Sequence, residues 1–139
     1  MRTLIAFDGS EHALRAVDFV CRHPQVLGDR AQVTVVFVTP PSPLRVVAAL
    51  GAEGSAPLPA EAERTAGPAL EKLRLAGIDA TLVDLAGDAG LEICQLASDD
   101  NYDLIVIGSH GRGLLKRAVL GSVAERVLTH CKVPVLIVR

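Results

Sequence analysis

The sequence predicts an α/β fold, in which a single domain spanning residues 1–139 holds a five-stranded parallel sheet with helices on both faces. A length of 139 residues is typical of one domain built around one core. Half of the residues are hydrophobic but only 3% are aromatic, so the core is expected to consist of aliphatic side chains. Short apolar runs alternate with segments of helical periodicity, and that alternation is typical of a parallel α/β sheet.

Five apolar runs have the length and composition of strands that are buried on both faces. The first run ends in a turn sequence, DGS, and the second has the strongest β-branched content, QVTVVFVT. The predicted strands are Thr3–Phe7, Gln32–Thr39, Ala80–Leu85, Asp103–Ile107 and Pro134–Val138.

Each of the four segments between successive strands carries apolar residues at helical spacing. Ser10 is suited to cap the first helix. Gly67 and Pro68 predict a kink in the second helix or a later start for it, and Gly77 is a natural stop. The first helix is predicted to follow Ser10, and the others to cover Glu61–Ala76, Leu91–Ser98 and Ser122–His130.

The alternation of strands and helices predicts right-handed crossovers and a Rossmann-like sheet, whose ligands bind beyond the carboxyl ends of the strands, where the strand order reverses. Three loops are expected at that edge: Asp8–Ser10, Thr39–Pro41 and Gly108–Ser122. The segment Pro40–Ala60 holds five of the eight prolines and is predicted to be mostly loop, which at this length is usually functional or mobile.

Charge and hydropathy argue against several classes of protein. A net charge of −2 argues against a nucleic-acid binder, which normally has a basic excess. No apolar run is long enough to span a membrane or to act as a signal peptide, so a cytoplasmic protein is expected. The three cysteines, Cys21, Cys94 and Cys131, are far apart in the chain, and free buried thiols explain them better than a disulfide or a metal site.

The loop after the fourth strand has the composition of a phosphate cradle, GSHGRGLLKRAVLGS. Gly108, Gly111 and Gly113 permit positive φ and a close backbone approach. Gly121 and Ser122 then open a helix, whose N-terminal N–H groups suit an anion. Two standard nucleotide fingerprints fail here, because leucine replaces the P-loop lysine at position 114 and lysine replaces the third glycine of G-x-G-x-x-G at position 116.

Structural explanations of the same residues remain open. The sequence from Ser122 to Glu125 fits a capping box, so the Ser122 hydroxyl could cap its own helix, contact a phosphate, or do both. The glycines could form an ordinary flexible turn. The basic side chains of Arg112, Lys116 and Arg117 could face solvent or contact a phosphate.

The spacing Gly108-x2-Gly111-x9-Gly121-Ser122 resembles the G-x2-G-x9-G-[ST] motif of the universal stress protein family. The beginning and the end of the chain also resemble that family, in LIAFDGSEHALRAV and KVPVLIVR, so the resemblance covers essentially all of the chain. It implies an adenine-nucleotide alpha hydrolase-like fold and a homodimer formed through the last strand, Pro134–Val138. The intact glycine motif resembles the branch of the family that binds ATP, with or without Mg²⁺.

The resemblance also implies roles for individual residues. Asp8 would hold the ribose hydroxyls or a metal, Val38 would offer backbone contacts and an apolar surface to adenine, and Ile107 would flank the base. The alternatives are a turn-forming Asp8, an ordinary strand residue at Val38 and a polar loop residue at His110. The residues implied to line the phosphates and ribose are Gly108, His110, Gly111, Gly121, Ser122 and Val123.

By the same resemblance, the chain is expected to be a dimeric, ATP-binding regulatory module of the stress response, acting on an unidentified protein partner. One alternative is a slow ATPase or a phosphate-transfer protein, with Ser109 or Ser122 as the acceptor. The sequence shows no Ser-His-Asp or paired-carboxylate arrangement, so no catalytic residue is assigned. The other alternative is a dimeric scaffold that binds no nucleotide.

Overall fold

The computed structural model describes residues 1–28, 30–41, 59–111 and 120–139, with side chains omitted for the first two residues of the third range. A short 3-10 turn at Pro24–Leu27 follows the first helix. The strands are β1 (Arg2–Ala6), β2 (Gln32–Thr39), β3 (Ala80–Ala86), β4 (Leu104–Gly108) and β5 (Val135–Val138). The helices are α1 (Glu11–Arg22), α2 (Pro59–Leu75), α3 (Ala89–Asp99) and α4 (Ser122–His130).

The five strands form one parallel sheet in the order β3-β2-β1-β4-β5. From β1 the chain builds outward through β2 to β3, and it then crosses back to place β4 on the other side of β1. The strand order therefore reverses between β1 and β4, where ligands of such sheets bind. This architecture confirms the predicted fold class.

Helices cover both faces of the sheet, as predicted. On one face α1 and α2 bury Val17, Val20 and Leu73 against the sheet. On the other face α3 and α4 bury Ile93 and Val127. Because side chains alternate along each strand and both faces are covered, the strands are apolar at successive positions. None of the helices in the described part of the chain is both long enough and apolar enough to cross a membrane.

The helix ends agree with the sequence at two positions and differ at a third. The Ser10 hydroxyl accepts a hydrogen bond from the Ala13 N–H at 3.2 Å and caps α1. Gly77 adopts a φ of 76° just after α2, and its N–H donates to Arg74 O, so the predicted stop is confirmed. The prediction of a later start for the second helix is wrong, because α2 begins at Pro59 and continues through Pro68.

The proline-rich loop lies mostly outside the described residues, since positions 42–58 are not among them. Its last two residues belong to α2, so that end of the predicted loop is helical.

Candidate functional site

A cleft with a volume of about 250 Å³ opens at the carboxyl ends of β1, β2 and β4. It lies at the reversal of strand order, and its volume is close to the lower end of the range for small-molecule sites. Its lining comes from five separate stretches of the chain. All nine residues predicted for the site line this cleft: Asp8, Val38, Ile107, Gly108, His110, Gly111, Gly121, Ser122 and Val123.

Apolar side chains form most of the remaining lining, and the sequence did not identify them. A strand that is buried on both faces gives no local signal for which of its side chains reach a cleft. Among the lining residues, the ionisable side chains are the carboxylate of Asp8 and the imidazole of His110. The additional lining residues are Ala6, Phe7, Ala13, Val36, Ala89, Ile93 and Ala124.

Asp8 forms part of the turn after β1, as the alternative of a turn-forming Asp8 predicts. Its Oδ1 accepts a hydrogen bond from the Ser10 N–H at 2.9 Å, and Gly9 between them has a φ of 80°. Its Oδ2 faces the glycine loop, because a Cβ built on Gly111 would lie 2.8 Å from it. One carboxylate oxygen therefore holds the turn and the other lies against the loop that lines the cleft.

The glycines of the loop provide close approach, and neither Gly108 nor Gly111 adopts the positive φ that glycine permits. A Cβ on Gly108 would lie 2.6 Å from both the carbonyl carbon and the oxygen of His12. Gly108 thus lets β4 pack directly on the first turn of α1. The third predicted glycine, Gly113, lies outside the described residues, as do Arg112, Lys116 and Arg117.

Gly121 closes the loop against its own beginning. Its N–H donates to Ser109 O at 2.7 Å, and a Cβ on Gly121 would lie 3.0 Å from the His110 Cα. A larger side chain at Gly121 would therefore push the two ends of the loop apart. Gly121→Val is consequently a poor probe of ligand binding, because it changes the loop before it reaches any ligand.

Gly121 also caps α4, so the predicted capping box at Ser122 is wrong. Gly121 has a φ of −73° and a ψ of 155°, and its carbonyl accepts the Glu125 N–H at 2.9 Å. Ser122 is therefore the first helical residue, and no side chain caps α4. The first turn of α4 lines the cleft, and Ser122 there is exposed. Because the first N–H groups of a helix have no partner within that helix, this end of α4 brings unpaired donors and a partial positive charge to the cleft.

Behind the cleft, a buried serine joins two histidines. The Ser109 side chain is 2% exposed, and its Oγ lies 3.3 Å from the His12 Nδ1 and 3.1 Å from the His110 Nδ1. The two imidazole centroids are 5.0 Å apart. Ser109 and His12 thus position His110 at the wall of the cleft. No local pattern could reveal His12, because this contact joins residues 97 positions apart.

The geometry bears on two further expectations. Within the described ranges there is no cluster of three or more histidine, cysteine or acidic side chains that could hold a metal by itself. Of the two serines considered as phosphate acceptors, Ser109 is buried and Ser122 is exposed, so only Ser122 is accessible from the cleft.

Comparison with known proteins identifies one family. The sequence model of the universal stress protein family matches residues 1–139. A relative, universal stress protein MJ0531 of Methanocaldococcus jannaschii, is 34% identical over 143 residues, which cover 99% of this chain and 81% of the relative.

Solved structures show the same fold. Hypothetical protein MJ0577 has a TM-score of 0.82 at 28% identity, covering 99% of this chain and 94% of its own. A universal stress protein in complex with cAMP has a TM-score of 0.69 at 24% identity, covering 100% of this chain and 96% of its own. One from Archaeoglobus fulgidus in complex with dAMP has a TM-score of 0.70 at 22% identity, covering 100% and 98%.

Proposed function

The chain belongs to the universal stress protein family, and from this membership and the geometry of the cleft we propose that it binds an adenine nucleotide, specifically ATP. One observation carries the proposal: the nine residues taken from separate motifs all line one cleft. The turn after β1, the end of β2, the end of β4 and the start of α4 converge there. If the glycines formed only an ordinary flexible turn, the other three segments would not need to meet at the same cleft.

Two parts of the lining suit the two ends of a nucleotide. Val36, Val38 and Ile107 supply apolar surface, which suits the faces of a purine. The start of α4 supplies unpaired N–H groups and a positive dipole end, which suit phosphates. We assign adenine to the first region and phosphates to the second, with Ser122 as a hydroxyl donor to a phosphate oxygen.

Asp8 would face the middle of such a ligand. Its Oδ1 accepts the Ser10 N–H and its Oδ2 lies against Gly111, so the carboxylate is placed to contact a ribose hydroxyl or Mg²⁺ carried by ATP. Because Asp8 would be a single carboxylate ligand, a magnesium ion there would take its other ligands from phosphates and water.

Two structural neighbours support the choice of adenine, since their ligands are cAMP and dAMP. Both ligands share the adenine base and differ in the sugar and in the attachment of the phosphate. We therefore expect the adenine base to bind against the apolar wall formed by β2 and β4.

We further propose that the whole chain acts as one domain and forms a homodimer through β5, and that nucleotide occupancy changes the surface offered to a protein partner. The edge position of β5 supports the dimer, because an uncovered apolar edge strand invites pairing. The burial of Ser109 favours a regulatory role over phosphate transfer through that serine.

The test is to purify the protein without added nucleotide, denature it, and separate the supernatant by anion exchange with detection at 260 nm. The expected result is an adenine nucleotide peak, with ATP the main species, or saturable binding of Mg-ATP to the emptied protein. An empty supernatant together with no binding at millimolar Mg-ATP would contradict the proposal and favour a scaffold that binds no nucleotide.

Nucleotide specificity and turnover are separated by two further measurements on the same sample. Competition with GTP measures the specificity for adenine, because an apolar wall by itself accepts the face of either purine. Steady phosphate release that Asp8→Ala abolishes would instead favour the slow ATPase.

A further inference from the structure

Two of the three cysteines meet between α3 and α4. Cys94 lies in α3 and Cys131 directly follows α4, and both pack, partly buried, against the same side of the sheet. The Cys94 thiol approaches Val127 O at 3.9 Å, and the Cys131 N–H donates to the same oxygen at 2.9 Å. A single carbonyl oxygen thus contacts both residues, although they are far apart in the sequence.

The two thiols also interact with each other. Burial and the neighbouring Cys131 side chain raise the pKa of the Cys94 thiol to about 12. Cys94 therefore keeps its proton at neutral pH. Since a thiolate is the nucleophile in thiol oxidation, Cys131 is the residue of the pair that would react first.

We propose that Cys94 and Cys131 are an oxidisable pair, which a peroxide converts into a reversible intramolecular disulfide. The proposal is independent of nucleotide binding, because it rests on the contact between α3 and α4. It assigns a chemical role to two residues that the sequence pattern indicates only as apolar helix positions.

The reaction takes place in two steps. The Cys131 thiolate attacks one oxygen of hydrogen peroxide, the O–O bond breaks, and a sulfenic acid forms while the other oxygen leaves as water after taking a proton. The Cys94 sulfur then attacks the Cys131 sulfur, the S–OH bond breaks, and the thiol proton leaves with the hydroxyl as a second water. The two thiols lose two electrons in total, which the peroxide accepts.

Cys21 provides an internal control. It lies in α1, in the cluster on the opposite face of the sheet, and its thiol donates to Lys72 O at 3.7 Å. Cys21 therefore has no partner cysteine on its side of the sheet. A peroxide should leave Cys21 outside the disulfide.

The disulfide would link α3 to the end of α4 below the cleft. Ile93 precedes Cys94 in the chain and lines the cleft, as does Val123 in α4. A link that closes a long loop restricts the unfolded chain, so the oxidised protein should melt about 5 °C or more above the reduced protein.

The experiment exposes the full chain to a small excess of hydrogen peroxide, stops the reaction with catalase, and counts thiols with Ellman's reagent under denaturing conditions. The count should fall from three thiols per chain to one, and dithiothreitol should restore three. Peptide mass spectrometry without reduction should identify a Cys94–Cys131 link, and the loss of thiols should be faster at pH 9 than at pH 7.

The variant Cys21→Ser keeps the proposed pair and should fall from two thiols to none, still as a monomeric chain on non-reducing gels. Cys94→Ser should form no intramolecular disulfide. The proposal is overturned if the thiol count of Cys21→Ser stays at two, if the cross-link joins two chains, or if Cys131 is oxidised only to sulfinic or sulfonic acid.

Discussion

At the scale of single residues, Ser10 and Ser122 illustrate two different positions at a helix start. Ser10 precedes α1 and its hydroxyl accepts the Ala13 N–H, whereas Ser122 lies inside α4 and caps nothing. The same residue type therefore stabilises the fold at one position and is available to a ligand at the other.

This difference predicts opposite results for two alanine variants. Ser10→Ala should lower the free energy of unfolding by about 1 kcal/mol, the usual cost of losing an N-cap. Ser122→Ala should leave it within about 0.5 kcal/mol of the wild type, as expected at an exposed site, and should weaken ATP binding. Urea denaturation and calorimetric titration measure the two effects. Equal destabilisation by both substitutions would mean that Ser122 caps α4 after all.

Ser122→Glu sharpens the same test, because it should affect folding and binding in opposite directions. A carboxylate in the first turn interacts favourably with the helix dipole and should raise stability by about 0.3–1 kcal/mol. The same charge would repel a phosphate and should lower ATP affinity about tenfold or more. Unchanged affinity in this variant would place the phosphates elsewhere.

The capping box at Ser122 was predicted from sequence and is wrong for a physical reason. The S-x-x-E spacing is correct, but the hydrogen bond from Gly121 N–H to Ser109 O fixes Gly121 as the cap. That bond joins two ends of a loop, and no local pattern reveals it. His12 was missed for the same reason, because its contact with Ser109 is made only when α1 packs on β4.

At the scale of elements, the contact between β4 and α1 depends on one glycine. Gly108 is buried at the end of β4, and any side chain there would meet the backbone of His12 and Ala13. Gly67 in α2 provides a contrast, because a Cβ there would have no neighbour within 4 Å apart from its adjacent residues and the backbone of its own helix.

Gly108→Ala should therefore lower the free energy of unfolding by about 1–3 kcal/mol, the usual effect of overpacking. Gly67→Ala should change it by less than about 1 kcal/mol, because higher helix propensity is offset by the strain of a Cβ before Pro68. Urea denaturation of both variants checks the pair. A Gly108→Ala protein as stable as the wild type would show that β4 and α1 do not pack this closely.

Most elements could be predicted because their signals are local. Apolar runs marked all five strands, and helical spacing marked all four helices. The start of α2 was the exception, since Gly67 and Pro68 suggested an interruption and the helix continues through them. Packing of α2 on α1, through residues such as Leu73, overrides that weak local preference.

At the scale of the whole molecule, β5 is an edge strand, and among the described residues no further strand pairs with its outer side. Ile105 N–H donates to Pro134 O at 2.9 Å and Ser109 N–H donates to Val138 O at 2.8 Å. In a parallel ladder these bonds alternate along the strand, so the backbone groups of Val135 and Ile137 point away from β4. The proposed homodimer would use those groups.

Ile137→Pro should abolish that dimer, because proline removes an outward N–H and leaves the bonds to β4 in place. Ile137→Ala removes more of the side chain than the proline variant does but keeps the N–H, so it should remain dimeric. Sedimentation velocity should give about twice 14.6 kDa for the wild type and for the alanine variant, and 14.6 kDa for the proline variant. A monomeric wild type, or a proline variant that stays dimeric, would contradict pairing through β5.

The measurement that tests the central claim most directly is an NMR titration of the ¹⁵N-labelled protein with Mg-ATP. Saturable shifts are predicted for the amides of Asp8, Gly111, Ser122 and Val123, which line the cleft. Little change is predicted for Gly77, which precedes β3 and so lies near the amino ends of the strands, away from the cleft. No shift at millimolar Mg-ATP, or shifts that are largest near Gly77, would contradict binding of the nucleotide in this cleft.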